Sequence, residues 1–243
     1  MRIKGIVKYK GTSYYGWQKQ DNKVTIEGKI EEVLSKILSE DINILASGRT
    51  DAGVHAFGQV FHFDTNSEMP LDKMIYATNC LLPKDIAIVS FEKVDDNFQA
   101  RYDAKGKHYR YIIDFNNKNP FSYETTYNCL LNTDKELFKS NVLKFIGKHD
   151  FKDFTSKEED EGKFIRTITD ITIKDDDNIL TIDLYGDGFM RYMIRFIIGA
   201  SLAVAWGKED NNFIDYHLSD KDVREIISYK APPQGLYLVE VIY

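Results

Sequence analysis

Ser47-Gly48-Arg49-Thr50-Asp51-Ala52-Gly53-Val54-His55 is a polar, glycine-framed turn set between two strand-like runs. Upstream, Ile42 to Ala46 reads as a short apolar strand, and downstream Gln59-Val60-Phe61-His62-Phe63-Asp64 alternates polar and apolar residues as a half-buried strand does. The turn is therefore expected at a strand end. Gly48 and Gly53 free the backbone for unusual dihedrals or for close approach to a ligand, and Arg49 and Asp51 can converge on one small site. Taken alone, the same residues fit an ordinary Asx-type turn with a solvated Arg49 equally well.

Outward from this turn the chain falls into two rounds. Arg2 to Lys10 alternates Ile3, Gly5, Val7 and Tyr9 against a mainly basic face, which predicts a strand. After a loop carrying Tyr14-Tyr15-Gly16-Trp17-Gln18, Thr25 caps a helix with Ile26, Ile30, Val33, Leu34, Ile37 and Leu38 on its stripe. A strand over 42–47, the central turn, a strand over 58–64, a helix over 71–81 and a strand over 86–94 complete the order βαββαβ. In the second round a strand over 107–113 is followed by a helix that Thr133 and Glu136 open as a capping box. Strands over 164–174 and 178–186, a long helix over 189–206, a shorter helix over 219–229 and a closing strand over 236–243 follow. Apart from the extra helix this is βαββαβ again. The fold class is accordingly α+β: two ferredoxin-like βαββαβ halves with antiparallel or mixed sheets and a catalytic cleft between them, the halves spanning 1–100 and 101–243.

Composition narrows the class of function. A chain of 243 residues, 43% hydrophobic and 29% charged, can build a real core. No charged and apolar leader precedes a cleavage site, and Cys80 and Cys129 lie far apart without metal-ligand spacing, so a reducing cytoplasm is expected rather than secretion, a disulfide scaffold or a zinc site. The net charge of −6 counts against wholesale non-specific binding to nucleic acid. Acid gathers in Glu158-Glu159-Asp160-Glu161 and Asp175-Asp176-Asp177, whereas Arg101, Lys105, Lys107 and Arg110 crowd one segment, which leaves room for a local basic groove.

The 189–206 segment is apolar around most of its circumference. Arg191 and Arg195 exclude a membrane span, because a charge costs roughly 2.5–3.5 kcal/mol at the centre of a membrane helix. In a buried helix the two arginines share one face and require an anion, for which Asp51 is a candidate, or else lay their stems along apolar surface. Aromatic residues make up 13% of the chain, and Tyr14, Tyr15, Trp17, Tyr102, Tyr109 and Tyr111 stand in loops or among cations, as rings that stack on extruded bases do. Most aromatic side chains are core, however, and periodicity places Tyr109 and Tyr111 on one strand face and Arg110 on the other. His55, His62, His108, His149 and His217 have no metal-ligand spacing, and neither a nucleophile elbow, a Walker loop nor a dinucleotide fingerprint occurs. Chemistry at an aspartate is what remains.

The run Gly48-Arg49-Thr50-Asp51-Ala52-Gly53-Val54-His55-Ala56 resembles the signature of the TruA-type tRNA pseudouridine synthases, and five further stretches continue the likeness in order. They are Tyr14-Tyr15-Gly16-Trp17-Gln18, Leu82-Pro83-Lys84-Asp85-Ile86, Ala104 to Tyr111, Gly186-Asp187-Gly188-Phe189 leading into Met193-Ile194-Arg195, and Gly235-Leu236-Tyr237-Leu238-Val239. The resemblance implies that Asp51 is the catalytic aspartate, Tyr109 the tyrosine stacked on the target uracil, Arg195 the arginine paired with the aspartate, Leu236 an apolar residue lining the pocket, and Arg49 a participant in nucleotide flipping. Tyr15, Lys105 and Arg110 complete the candidate substrate-binding residues. It further implies conversion of uridine to pseudouridine at positions 38 to 40 of the tRNA anticodon stem-loop, without cofactor or metal, by a cytoplasmic homodimer. The chain departs from the family at Tyr192 and Phe196, where asparagines are usual, so altered contacts around Arg195 are expected, and a paralogue with different RNA targets is the near alternative. Two other readings compete: a module that binds structured RNA without modifying it, and a metal hydrolase using Asp51, His55, His62 and Asp64.

Overall fold

The computed structural model describes residues 1–116, 118–156 and 164–243; the acidic run Glu158-Glu159-Asp160-Glu161 lies outside them. In chain order the elements are β1 (Arg2–Tyr9), α1 (Ile26–Leu38), β2 (Leu45–Ala46), β3 (His55–Asp64), α2 (Leu71–Leu81), β4 (Ile86–Val94), β5 (Gly106–Asp114), β6 (Tyr127–Asn128), α3 (Lys135–Leu143), β7 (Gly147–Asp150), β8 (Ile165–Asp176), β9 (Ile179–Gly186), α4 (Met193–Ala205), α5 (Phe213–Leu218) and β10 (Leu236–Ile242). They form two compact units, Met1–Lys105 with Tyr237–Tyr243, and Gly106–Leu236. The class is α+β, with antiparallel and parallel pairings in the same sheets.

In the first unit β1 lies between β4 and β3, antiparallel to both, and buries Ile3, Gly5, Val7 and Tyr9 as its alternation requires. The other edge of β3 is shared. β2 pairs there through Leu45↔His62 and Ala46↔Phe61, while β10 runs parallel to it through Tyr237↔His55 and Leu238↔Ala56. The βαββαβ order of the split unit is therefore present, with β10 added beside the start of β3. Thr25 caps α1, its hydroxyl accepting from the Gly28 N–H at 3.3 Å, and α1 buries Ile26, Ile30, Val33, Leu34 and Leu38. Asn79 of α2 ties that helix to β4, donating to the carbonyl of Ile88 and accepting from its N–H.

One first-half expectation is corrected. Only Leu45–Ala46 of the predicted 42–47 strand pairs as a strand, because α1 takes the N–H groups that precede it. Ser35 Oγ accepts from Ile42 at 3.0 Å, and the buried Glu31 carboxylate accepts from Ile44 at 3.0 Å.

The second unit is a meander of β5, β9, β8 and β7 in that spatial order, all antiparallel, with β6 parallel to β5. Helix α4 is its central support: every residue from Met193 to Ala205 is buried. Three expectations are corrected here. The capping side chain of α3 is Asp134, which accepts from the Leu137 N–H at 3.0 Å, since the Thr133 hydroxyl is engaged by the indole N–H of Trp206 at 2.9 Å. Helix α4 begins at Met193 rather than 189, behind Tyr192, whose φ of 62° is left-handed and halts the helix. The predicted 219–229 helix is absent, and a short helix at Phe213–Leu218 precedes that segment instead. The physical reason is Asp153. Its buried carboxylate accepts from the Glu225 N–H at 2.8 Å and meets Lys221 Nζ at 2.7 Å, while its carbonyl accepts from the Ile227 N–H, so this backbone bonds across to the 152–154 turn rather than to its own preceding turn.

Candidate active site

Asp51 stands half-buried at the centre of its turn, and backbone from elsewhere in the first unit holds the turn in place. The Thr50 carbonyl accepts from the Trp17 N–H at 3.0 Å. The Thr50 hydroxyl and the Tyr9 hydroxyl share a bond of 2.8 Å in the core, where burial pushes the Tyr9 pKa well up and keeps the phenol protonated. Within the turn the Val54 N–H donates to the Asp51 carbonyl at 3.1 Å, and Gly53 takes φ 80°. On the entry side Gln59 fastens Ser47 and Gly48: its Oε1 accepts from the Ser47 hydroxyl at 2.9 Å and its Nε2 donates to the Gly48 carbonyl at 2.8 Å.

The early loop backs this turn, and its glycine explains how it fits. Gly16 has φ 88°, and a Cβ there would stand 2.7 Å from the Thr50 carbonyl oxygen. Glu27, in the first turn of α1, holds the loop from the other side, accepting from the Trp17 indole N–H at 3.1 Å and from the Lys19 N–H at 2.6 Å. Burial raises the Glu27 carboxyl above its usual range, against the lowering effect of these donors and of the Arg49 charge. Trp17 itself is 1% exposed and packs on Tyr9 and Phe61. Helix start, loop and the Asp51 turn thus brace one another as one stack. Tyr15 projects outward from it, 54% exposed, with the Lys23 ammonium 4.2 Å from its ring centroid, and Arg49 is exposed.

In the second unit Tyr109 lies on β5, 7% exposed, with Phe189 edge-on at 5.2 Å between ring centroids. Phe189 is placed by the turn after β9. The Asp187 carboxylate accepts from the Thr167 N–H at 3.1 Å with both oxygens, and Gly186 has no room for a side chain, since a Cβ would lie 2.7 Å from the Thr167 carbonyl oxygen. Arg110 occupies the opposite face of β5, as periodicity predicted, where it forms a fork with its cross-strand partner Asp183 at 2.9 and 3.1 Å. His108 Nε2 meets the same carboxylate at 2.6 Å.

Arg195 is 8% exposed and doubly joined to Ala231: its Nε donates to the Ala231 carbonyl at 2.8 Å, and the Ala231 N–H donates to the Arg195 carbonyl at 2.8 Å. Gly199 permits this approach, because a Cβ there would stand 2.4 Å from the Tyr229 carbonyl oxygen. The neighbouring Tyr111 hydroxyl donates to the Pro232 carbonyl at 2.7 Å; burial drives its pKa well above the usual range, with the Arg195 charge acting the other way. Tyr111 also fills the space that Gly235 leaves, and this fixes the turn before Leu236, which is 5% exposed. Lys105 is exposed, its backbone N–H donating to the Ile242 carbonyl at 2.8 Å.

The first unit therefore gathers Asp51, Arg49 and Tyr15 around one supported turn, and the second organises Tyr109, Arg195 and Leu236 around β5 and α4. Sequence reading overlooked the supporting residues Gly16, Thr50, Gln59, Gly199 and Ala231. Glycines in otherwise ordered stretches were the available signal for two of them. The metal-hydrolase residues are otherwise engaged: His55 Nδ1 accepts from the Gly11 N–H at 3.0 Å, His62 Nδ1 from the Ala100 N–H at 3.2 Å, and Asp64 forms a two-point pair with Arg2. No group of three or more metal-binding side chains occurs among the described residues.

Comparison with known proteins bears on the whole chain. The sequence profile of the family described as tRNA pseudouridine synthase matches residues 6–103 and 142–243. The chain is 40% identical over 243 residues to the tRNA pseudouridine synthase A of Acetivibrio thermocellus, with 99% of each chain covered. It is 41% identical over 243 residues to the tRNA pseudouridine synthase A 2 of Clostridium perfringens, again with 99% of each covered, and 38% identical over 242 residues to the tRNA pseudouridine synthase A of a Thermoanaerobacter species, with 98% of each covered. The matched segments include the Asp51 turn, the Gly16 loop and the Arg195 helix, and the chain belongs to the tRNA pseudouridine synthase family.

Proposed function

We propose that this protein converts uridine to pseudouridine in the anticodon stem-loop of tRNA, at positions 38 to 40, with Asp51 as the catalytic carboxylate. The observation that carries the reading is the full-length likeness to tRNA pseudouridine synthases, with the Asp51 segment inside the stretch that the family profile matches, joined to the support of that segment by Trp17, Tyr9 and Gln59. In the reaction the C1′–N1 glycosidic bond breaks, the uracil turns, and C1′ bonds to C5, whose proton then leaves to restore the aromatic ring. Two routes begin from an ionised Asp51: attack on C1′ to give a covalent sugar ester, or removal of the C2′ proton to give a glycal. Either requires a carboxylate held still, which is what the backbone stack provides.

Tyr109 takes the face of the detached uracil, Arg195 offsets the carboxylate charge in a dry site, and Leu236 gives the base an apolar wall. Arg49 assists extrusion of the nucleotide, which costs a few kcal/mol and is cheapest near a loop. Tyr15, Lys105 and Arg110 contact the RNA, Arg110 from within its pair with Asp183. The working form is a cytoplasmic homodimer. The test is Asp51→Asn on a transcribed tRNA: pseudouridine formation is abolished while tRNA binding stays within about twofold, since the change removes charge but little contact. Full activity in that variant would remove Asp51 from the mechanism, and binding by the wild type with no pseudouridine formed would favour a binding module instead.

A further inference from the structure

Three cations converge on one ring in the second unit. The Lys230 ammonium lies 4.2 Å from the centroid of Tyr192, and the guanidinium carbons of Arg191 and Arg195 lie at 4.9 and 5.3 Å. The Arg191 fork is further fixed by donation from its Nη2 to the Tyr192 hydroxyl at 3.1 Å. An aromatic face attracts a cation by only about 0.5–1 kcal/mol at an exposed site, which does not balance the two outer charges, Arg191 and Lys230, gathered on one side chain. No carboxylate among the described residues forms an ion pair with Arg191 or Lys230, whereas four other cations of this unit have one: Arg110 has Asp183, Lys139 has Glu136 and Asp175, Lys144 has Asp215, and Lys221 has Asp153.

Tyr192 supplies an independent sign. Its φ of 62° is left-handed, a conformation that costs a bulky aromatic residue about 1–3 kcal/mol and persists only where its surroundings over-determine it. The surroundings here are those cations and Phe196, which meets the Tyr192 ring edge-on at 6.3 Å. The strained residue thus presents a cationic surface whose outer members, Arg191 and Lys230, are exposed and whose inner member, Arg195, is buried.

We infer that Arg191 and Lys230, mounted on Tyr192, form a phosphodiester-binding subsite for the RNA backbone beside the target uridine. The inference rests on the proposed pseudouridine synthase reading for its ligand, and extends it to residues outside the assigned catalytic and substrate-binding set. A phosphodiester has two non-bridging oxygens, one for a planar guanidinium fork and one for an ammonium. Contact at Arg191 and Lys230 seats the strand next to Arg195 and fixes the register in which a nucleotide is presented.

The experiment measures tRNA affinity across a salt series, and pseudouridine formation, for the wild type, Arg191→Gln, Lys230→Gln and the double variant, with Lys139→Gln as a charge-matched control. Each subsite substitution is expected to raise Kd and KM about three- to tenfold, leave kcat within about twofold, and lower the slope of log affinity against log salt by about 0.7–1. The control should match the wild type. Unchanged slopes and KM values in the double variant, or an equal fall in Lys139→Gln, would overturn the subsite. If the wild type binds tRNA but makes no pseudouridine, the catalytic reading fails while the salt slopes still decide the subsite.

Discussion

In the first unit, Asp51 rides on a turn that other backbone grips, through the Trp17 N–H on Thr50, a glycine at position 16 with no room for a Cβ, and Gln59 behind it. In the second, Arg195 projects from a fully buried helix and is gripped by a segment with no regular structure, through its reciprocal bonds with Ala231. The first arrangement is compact in sequence and locally braced. The second depends on a chain of distant anchors, from Asp153 to the 221–227 backbone, and on to Tyr229 passing over Gly199. On the proposed roles, a carboxylate that must keep its aim calls for the first kind of support, and the second makes the setting of Arg195 sensitive to changes far from it in sequence.

The contrast can be broken at several points. Arg195→Lys should lower kcat by about two to three orders of magnitude, since an ammonium cannot keep the Nε bond to Ala231 and point a planar fork elsewhere. Near-normal turnover would show that charge alone suffices. Asp153→Asn comes next, with an expected loss of about 4 kcal/mol by urea denaturation, because Lys221 and His217 lose their shared buried partner.

The same residue predicts a pH dependence. Burial would raise the Asp153 carboxyl, but bonds from Lys221, His217 and the Glu225 N–H outweigh it, and the pKa is lowered. Its stabilisation is therefore present above the ordinary carboxylate pKa of about 4 and is lost as pH falls through the lower folded value. The wild type should lose stability over that window more steeply than Asp153→Asn, and parallel curves would assign the acid sensitivity elsewhere.

Gly199→Ala should cost about 3 kcal/mol, as its Cβ meets the Tyr229 carbonyl at 2.4 Å, and should impair kcat by displacing Ala231 from Arg195. Gly16→Ala carries the smallest expected cost, about 2 kcal/mol from its left-handed φ and the 2.7 Å approach to Thr50. Its signature should be kinetic, with kcat falling more than KM rises, because the moved element is the Asp51 turn. Loss of stability with kcat intact would show that the turn does not depend on the loop.

Much of this protein was readable residue by residue. Period-two alternation in Arg2–Tyr9 placed its buried face, the helical stripe and Thr25 placed α1, and the polar Gly48–Gly53 turn marked where a carboxylate stands at a strand end. Those signals are local: one residue and its neighbours within a turn or a pleat carry them. The failures were also of one kind. The 219–229 segment has helical composition, yet Asp153 captures its N–H groups; residues 42–44 look like strand, yet Glu31 and Ser35 of α1 take theirs; Thr133 fits a capping box, yet Trp206 engages its hydroxyl. In each case a side chain outside the segment itself offered a bond that the local pattern cannot anticipate.

By itself, then, the sequence determined the α+β class, the order of strands and helices in the first round, and the place of Asp51 on its glycine-framed turn. Tertiary structure alone decided that Gly16 and Trp17 underpin that turn, that Ala231 and Gly199 aim Arg195, and that Arg191 and Lys230 meet over Tyr192. The reason is range. Propensity and periodicity act over a few residues, whereas backbone satisfaction, steric clearance at a missing Cβ and the meeting of like charges are settled only when distant segments share one space.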